Sequence, residues 1–404
     1  MNLPSIDVVL PHGQRIEDLA AHGNLPPFGS VQLGFASQLA KALTVSAAVR
    51  AFPELVALGF WLRPANLKRT IDAFITRKGD AVHLPRGLVF HVAPSNVDTI
   101  FVYSWFISLL CGNRNIIRLS SKETPQTTAL LAILEELLTQ DEWRDIAQRT
   151  LIVRYGHDAA VSAALSAACD VRVIWGGDDT IRTFRDFPLN PRATELAFAN
   201  KFSMSVLDAR TVAEADSDVL QKLTGAFHND VYWFGQMACS SPRMLLWLGS
   251  ASQAEAAAGR FWPALRTELD RRGVTISAPD HMNKEVTADA LAIEQASVQI
   301  ETPDPRITRV RLPEPALLDE LHCGAGLFHE ARIDTLDALK PLLSRKIQTI
   351  SHFGVTTFQW KEFLGTAVPA GIDRIVPMGS ALDFEPIWDG QDLLQSFLRQ
   401  VTVQ

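Results

Sequence analysis

Four segments of the 404-residue chain carry residue types that can do chemistry, and they follow one another in a set order. The first, His91-Val92-Ala93-Pro94-Ser95-Asn96, runs from an apolar stretch through a proline turn to an amide. An amide N–H there can donate toward charge developing on a carbonyl oxygen; an asparagine at that place equally caps a following helix. The second, Arg118-Leu119-Ser120-Ser121-Lys122, sets two cations and two hydroxyls on one turn, which suits a phosphate or phosphorylated ribose as well as plain solvent. The third contains Gly176-Gly177-Asp178-Asp179, where glycine allows close approach of a ligand or simply a tight turn. The fourth, Gly235-Gln236-Met237-Ala238-Cys239-Ser240-Ser241-Pro242-Arg243, sets one thiol among small residues ahead of an apolar run. An accessible thiol with a lowered pKa is a nucleophile, whereas a buried one is packing. Cys111, closing an apolar run, and Cys169, in a small-residue pattern, read as packing; Cys323 adjoins His322 and stays open.

Positioning such turns needs a scaffold, and the apolar pattern supplies one. Runs at 88–92, 97–110, 115–119, 126–138, 150–153, 159–168 and 171–175 alternate between short continuous and longer periodic stretches. Strand and helix repeated in this way predict a parallel sheet with covering helices, with ligands at the strand ends. Thr124 followed by Pro125 predicts a helix start. Residues 35–78 predict two or three helices, and 230–378 a second α/β region with apolar runs at 244–248, 274–277, 306–312 and 348–353. The polar, proline-bearing stretch 280–315 predicts surface strands or an edge.

Composition narrows the class. Apolar residues make up 47% and charged residues 21%, so disorder and fibrous repeats are excluded. The 38 basic and 45 acidic side chains leave −7 with no basic run, which argues against nucleic acid as a partner. No stretch is long enough for a membrane span, no secretory signal is evident, and a cytoplasmic location is expected. The cysteine and histidine spacing matches no metal site. Phosphate-loop, GxSxG, HExxH and GxGxxG motifs are missing, which removes the main support for nucleotide triphosphatases, serine hydrolases and zinc proteases.

Taken in order, Pro-x-Asn, a basic residue with serine, Gly-Gly and Gln-x-x-Cys resemble the aldehyde dehydrogenase superfamily. More narrowly, LLCGNRNIIRLSSK, ACSSPR and GIDRIVPMGSALDFEPIWDG resemble the acyl-CoA reductase family typified by LuxC. The resemblance runs over roughly 84–389. It implies an α/β fold of aldehyde-dehydrogenase type: a helical lead-in over 1–69, a Rossmann-type NADP-binding domain over 70–227, a catalytic cysteine domain over 228–378 and a tail over 379–404, with the cysteine at the domain interface. It further implies reduction of an acyl thioester, either acyl-CoA or an acyl-protein, to an aldehyde by NADPH through an acyl-cysteine. Cys239 then matches the nucleophile, Asn96 the oxyanion donor, and Arg118, Ser120, Ser121, Gly176 and Gly177 the coenzyme site. An acyl-transferring or ligase-like partner protein and a homo-oligomer are expected on the same basis.

Two departures from the wider superfamily carry meaning. Relatives that make free acids have a glutamate in Glu-Leu-Gly-Gly-Lys, where this chain has Ala197-Phe198-Ala199-Asn200-Lys201, the nearest acid being Glu195. Without a hydrolytic base, thioester reduction is favoured over acid formation. NAD-using relatives have an acid where this chain has Ser121, which removes repulsion toward a 2′-phosphate and favours NADPH. The alternatives are an NAD(P)-dependent dehydrogenase with Glu195 as displaced base, a non-catalytic acyl-binding subunit, and a nucleotide-binding structural protein. Phe101, Trp105, Phe106, Trp233 and Phe234 are candidates for an acyl channel or for core, and His91, His228 and His322 are read as structural.

Overall fold

The computed structural model describes residues 6–79, 81–294, 297–318 and 320–403. The chain forms two compact units, one of Met1–Asn200 with Phe384–Gln404, the other of Lys201–Asp383. The expected break at 227/228 falls inside the helix Ser217–Tyr232, whose Leu223, Phe227 and Val231 belong to the second unit's core. The chain crosses instead at 200/201, in the turn linking two consecutive strands.

The first unit holds β1 (Asp7–Leu10), β2 (Val82–Pro85), β3 (Leu88–Val92), β4 (Arg114–Arg118), β5 (Thr150–Arg154), β6 (Val171–Trp175) and β7 (Thr194–Phe198). Its six-stranded sheet has the order β1-β5-β4-β3-β6-β7, parallel except for β1 at one edge. The lead-in is therefore not purely helical, because Asp7–Leu10 joins the sheet before the helices Ser30–Val45, Pro53–Trp61 and Pro64–Lys78. Every residue of β6 is buried, as is every residue of the helix Ile100–Leu110, which explains sequences that are apolar apart from Arg172, Ser104 and Ser108. Phe90, Ile116, Leu151 and Ile174 pack with Val161 and Leu165 of the helix Ala159–Ala168. Thr124 accepts from Thr127 N–H as the N-cap ahead of Pro125. Strands β4 and β5 are added on one side of β3 and β6 on the other, so the topology reverses between β3 and β6 and opens a crevice at their carboxyl ends.

The second unit holds β8 (Phe202–Asp208), β9 (Pro242–Leu248), β10 (Gln299–Asp304), β11 (Ile307–Arg311), β12 (Leu327–Ile333), β13 (Ile347–Phe353) and β14 (Arg374–Pro377). Their order is β10-β11-β12-β9-β8-β13-β14, parallel except for the β10 edge. The edge expected within 280–315 is β10. The first part of that stretch is helical, however, because Lys284, Ala288 and Leu291 form a buried stripe along Ala278–Glu294. The run 274–277 is no strand: Gly273, at φ +64°, ends the helix Ala251–Arg272, and these residues link it to the next helix.

Three irregularities interrupt this sheet: the β10/β11 register shifts between Glu301 and Asp304 at one edge, and two more lie inside it. The β8/β9 register shifts between Ser203 and Met204, and the β13/β8 register shifts between Ile347 and Ile350. Both lie at the amino ends of the strands. The tail supplies β15 (Ile387–Trp388), β16 (Gln391–Asp392) and β17 (Leu398–Val401), the last pairing antiparallel with β2 of the first unit.

Candidate active site

Cys239 occupies the turn that feeds β9, partly exposed between buried Ala238 and buried Ser240 and Ser241. Three consecutive left-handed residues set the path into that turn: Phe234 (φ +53°), Gly235 (φ +58°) and Gln236 (φ +66°). Two of them bear side chains, a conformation that costs about 1–3 kcal/mol each and persists only when neighbours enforce it. The buried side chain of Gln236 does so. Its Nε2 donates to Pro242 O at 2.9 Å and Leu327 O at 3.0 Å, and its Oε1 accepts from Gly326 N–H at 2.9 Å. The segment 322–326 braces the other side: Ala325 N–H donates to Gly235 O at 3.0 Å. Lys284, fully buried, donates to the Pro305 carbonyl and, at 3.2 Å, to Ala325 O.

Two further side chains converge on the cysteine from the shifted strands. Ser203 Oγ donates to Cys239 O at 2.7 Å and accepts from Thr349 N–H at 3.2 Å. Gln348 Nε2 donates to Cys239 Sγ at 3.4 Å, and Gln348 is 1% exposed. No local pattern in the sequence signals either residue. A bulge re-aims side chains locally, and its position depends on pairing with a distant strand.

The other thiols differ from Cys239. Cys111 is buried, and burial first, then Asp392, pushes its thiol well above the ordinary value. Burial pushes Cys169 up to about 12. Burial also raises Cys323, against a hydrogen bond with Thr287 and the charge of Lys284. The histidines are engaged in structure. His91 is buried between Ser104 Oγ at 2.8 Å and Asn115 Oδ1 at 3.0 Å, and desolvation lowers it to about 4. His228 stacks on Tyr232 and is likewise lowered to about 4, by burial first and then by Arg272. His322 accepts from Gly324 N–H at 3.3 Å and donates to Leu327 O at 3.2 Å, with burial holding it well below the imidazole range.

In the first unit, the first and second sequence segments meet at the carboxyl ends of β3 and β4. Pro94, Ser95, Ser120 and Lys122 line one small crevice of about 20 Å³. Asp98 Oδ2 accepts from Thr124 Oγ1 at 2.5 Å, tying the proline turn to the next helix start. Asn96 is exposed in that turn and is not the N-cap of Ile100–Leu110, a position held by Thr99. The Arg118 guanidinium lies 4.8 Å from the Tyr155 ring centroid and donates to Gly156 O at 3.3 Å. Its buried Nε has no hydrogen-bond partner among the described residues. Ser120 Oγ accepts from Lys122 N–H at 3.2 Å, and Ser121 is exposed. A cation held beside a ring, next to one half-buried and one exposed hydroxyl, has the chemistry to suit a phosphorylated ribose.

Gly176 and Gly177 follow β6 at the reversal point. Gly176 N–H donates to Phe198 O at 3.2 Å, and a Cβ there would meet Thr180 Cβ at 3.1 Å. A Cβ on Gly177 meets nothing within 4 Å. Asp178 and Asp179 in the first helical turn set negative charge there, so the turn suits an uncharged ring better than a phosphate. Phe101, Trp105 and Phe106 are sealed core at 3%, 0% and 0% exposure, while Trp233 and Phe234 are partly exposed upstream of Cys239. Glu195 is bound by Arg172 and Arg185.

Among the described residues no helix is long and apolar enough to cross a membrane, and no group of three or more His, Cys, Asp or Glu is placed to hold a metal ion.

This architecture is that of the aldehyde dehydrogenases. The substrate-bound AldH of Staphylococcus aureus superposes with a TM-score of 0.60 at 13% identity, covering 92% of this chain and 88% of its own. A putative aldehyde dehydrogenase from Burkholderia cenocepacia gives 0.63 at 15% identity, covering 92% and 85%. Within that fold the chain belongs to the acyl-CoA reductase (LuxC) family, whose model matches residues 66–300. Similar relatives include the long-chain acyl-protein thioester reductase 2 of Photobacterium leiognathi, 28% identical over 170 residues, and the long-chain acyl-protein thioester reductase of Photorhabdus luminescens, 29% identical over 169. These matches take in 42% and 41% of this chain and span a third (33%) of the length of each relative.

Proposed function

We propose that the protein reduces an acyl thioester to the aldehyde with NADPH, by way of an acyl group carried on Cys239. The observation that supports this most is Cys239 itself: partly exposed, its thiol met by the buried Gln348 amide and its carbonyl by the buried Ser203 hydroxyl, on a turn braced from both flanks. As a thiolate, Sγ adds to the thioester carbonyl; the donor's own C–S bond breaks, and the departing thiolate takes a proton from solvent. Exchange of one thioester for another is nearly balanced in energy and needs no external reagent. NADPH, when bound, supplies the hydride that the acyl carbon accepts. The Cys239 C–S bond then breaks, the aldehyde leaves and the thiolate is restored.

Amide and backbone N–H donors stabilise the oxyanion of each addition, and Asn96 is assigned to that role. Arg118, Ser120 and Ser121 are assigned to the phosphorylated ribose, and Gly176 and Gly177 to the coenzyme's close approach. The donor thiol is that of coenzyme A or of a protein carrier, the latter being what the relatives' names specify. The engagement of Glu195 by two arginines counts against the acid-forming reading, since a base must be free to take a proton from water.

The test is to follow NADPH absorbance with a panel of acyl-CoA thioesters, identify the product, and compare Cys239→Ala. Thioester-dependent oxidation yielding aldehyde, lost in the variant, is the expected result. Release of free acid from added aldehyde, or turnover that survives Cys239→Ala, overturns the reading.

A further inference from the structure

Two of the three register irregularities in the second unit's sheet adjoin side chains that contact one residue. Between β8 and β9 the register shifts after Ser203, with the extra residue, Arg243, on β9; between β13 and β8 the extra residue lies on β13, between Ile347 and Ile350. The residues at these shifts contact the same amino acid: Ser203 its carbonyl, Gln348 its sulfur. Bulges concentrate beside active sites because the extra residue redirects a side chain that regular pairing would send elsewhere. The β13 bulge carries Gln348 itself, and the β9 bulge lies beside Ser203, so both fall where side chains meet Cys239.

We propose that Gln348 is a catalytic residue: its buried amide donates to Cys239 Sγ and holds the sulfur as a thiolate before substrate arrives. This rests on the role of Cys239 given above. The chemistry is direct. An N–H donor favours the charged form of the group it faces, and a desolvated donor does so more strongly than water. An amide cannot accept the thiol proton, so Gln348 acts by stabilising the anion and not as a base. The backbone fixes its aim: Asp373 N–H donates to Gln348 O at 2.8 Å and Thr349 N–H to Ser203 Oγ at 3.2 Å, on either side of the amide.

Charged groups on the surrounding elements make contacts of their own. Lys201, just before β8, is paired with Asp373, before β14, at 3.0 Å and donates to Arg345 O at 3.0 Å. Arg243 on β9 has its guanidinium 5.9 Å from the Phe202 ring centroid. His322 and Lys284 are held in the brace already described. A change in thiol titration therefore reads the amide.

The experiment measures the rate of Cys239 alkylation by iodoacetamide against pH, without substrate, in the full chain, with Cys239→Ala as the blank. Gln348→Leu is expected to move the profile up by about one pH unit, and so to slow alkylation roughly tenfold below the thiol's pKa. The isosteric Gln348→Glu, which places a carboxylate against the sulfur, should move it further the same way. Turnover with acyl-CoA and NADPH should fall in proportion at the same pH and recover partly at higher pH. If the profile stays put or moves down in whichever of the two variants keeps its native circular dichroism, Gln348 does not hold the thiolate. If the profile moves but the wild type never turns over, the contact stands and the reductase reading fails instead.

Discussion

Arg172 on β6 and Glu195 on β7 face each other across the parallel ladder, the guanidinium donating to Oε2 at 3.0 and 2.5 Å. Arg185 adds a bond to Oε1 at 2.8 Å. Burial raises the proton affinity of Glu195, but the two guanidinium groups outweigh it and hold the carboxyl below its ordinary value. The pair's contribution is therefore present above the ordinary glutamate range and is lost as pH falls below it. Glu195→Gln is expected to cost about 3 kcal/mol of stability, near the low end for a broken buried pair because glutamine still accepts a bond. Urea melts would show this loss, while turnover per titrated Cys239 thiol stays near wild type. A selective loss of turnover would restore Glu195 as a base.

Arg118 gives a second prediction. In the proposed role Arg118, its guanidinium beside the Tyr155 ring, would hold a 2′-phosphate by charge-assisted bonds worth roughly 1.5–3 kcal/mol. Arg118→Ser should raise the KM for NADPH about tenfold or more and leave that for NADH nearly unchanged. Equal effects on both coenzymes would place Arg118 elsewhere in the binding mode.

Gly324 and Gly235 make a matched pair, both left-handed, at φ +78° and +58°. A Cβ on Gly324 would meet Gly235 O at 2.5 Å and Met237 Sδ at 2.8 Å, whereas one on Gly235 meets nothing within 4 Å. Gly235→Ala should cost only the local strain, about 1–2 kcal/mol. Gly324→Ala should in addition displace the Cys239 turn and lower both thiol alkylation and turnover. Comparing the two variants by alkylation rate separates backbone strain from contact, and equal rates would remove the brace from the argument.

The buried imidazoles predict acid sensitivity. His91, His228 and His329 are lowered to about 4, in each case by burial first. The unfolded chain therefore binds protons that the folded chain does not, so stability is complete above the free imidazole value near 6.5 and falls as pH drops from there toward 4. Urea midpoints measured across that window should decline, and His91→Gln should flatten the slope. An unchanged midpoint would mean that these rings take up protons as readily in the folded protein as in the unfolded chain.

Sequence reasoning reached the features that depend on neighbours in the chain. The buried runs of β3, β4 and β6, the Thr124 cap and the difference between Cys239 and Cys169 all follow from local pattern. What it missed depends on pairing at long range. Gln348 reads as an ordinary polar residue near a strand start until β13 is laid beside β8, where the register slip turns it onto a sulfur 109 positions earlier. The apolar run 274–277 misled for the opposite reason, because its short length matched a strand while Gly273 and the next helix left it only a connector. The crossing at 200/201 was hidden because only the short polar turn Asn200-Lys201 separates β7 in one unit from β8 in the other.

The tail returns to the unit that the chain left at Asn200, and this has a bearing on how the protein is made. The Tyr103 hydroxyl waits for the Glu385 carbonyl, Trp61 for Phe384, and β2 for β17, across 183 intervening residues that form the other unit. During synthesis the unit begun first is finished last. Its aromatic seam stays open while the ribosome builds Lys201–Asp383, a whole unit with its own core, so the cysteine-bearing part can close on itself before the part that starts the chain is complete.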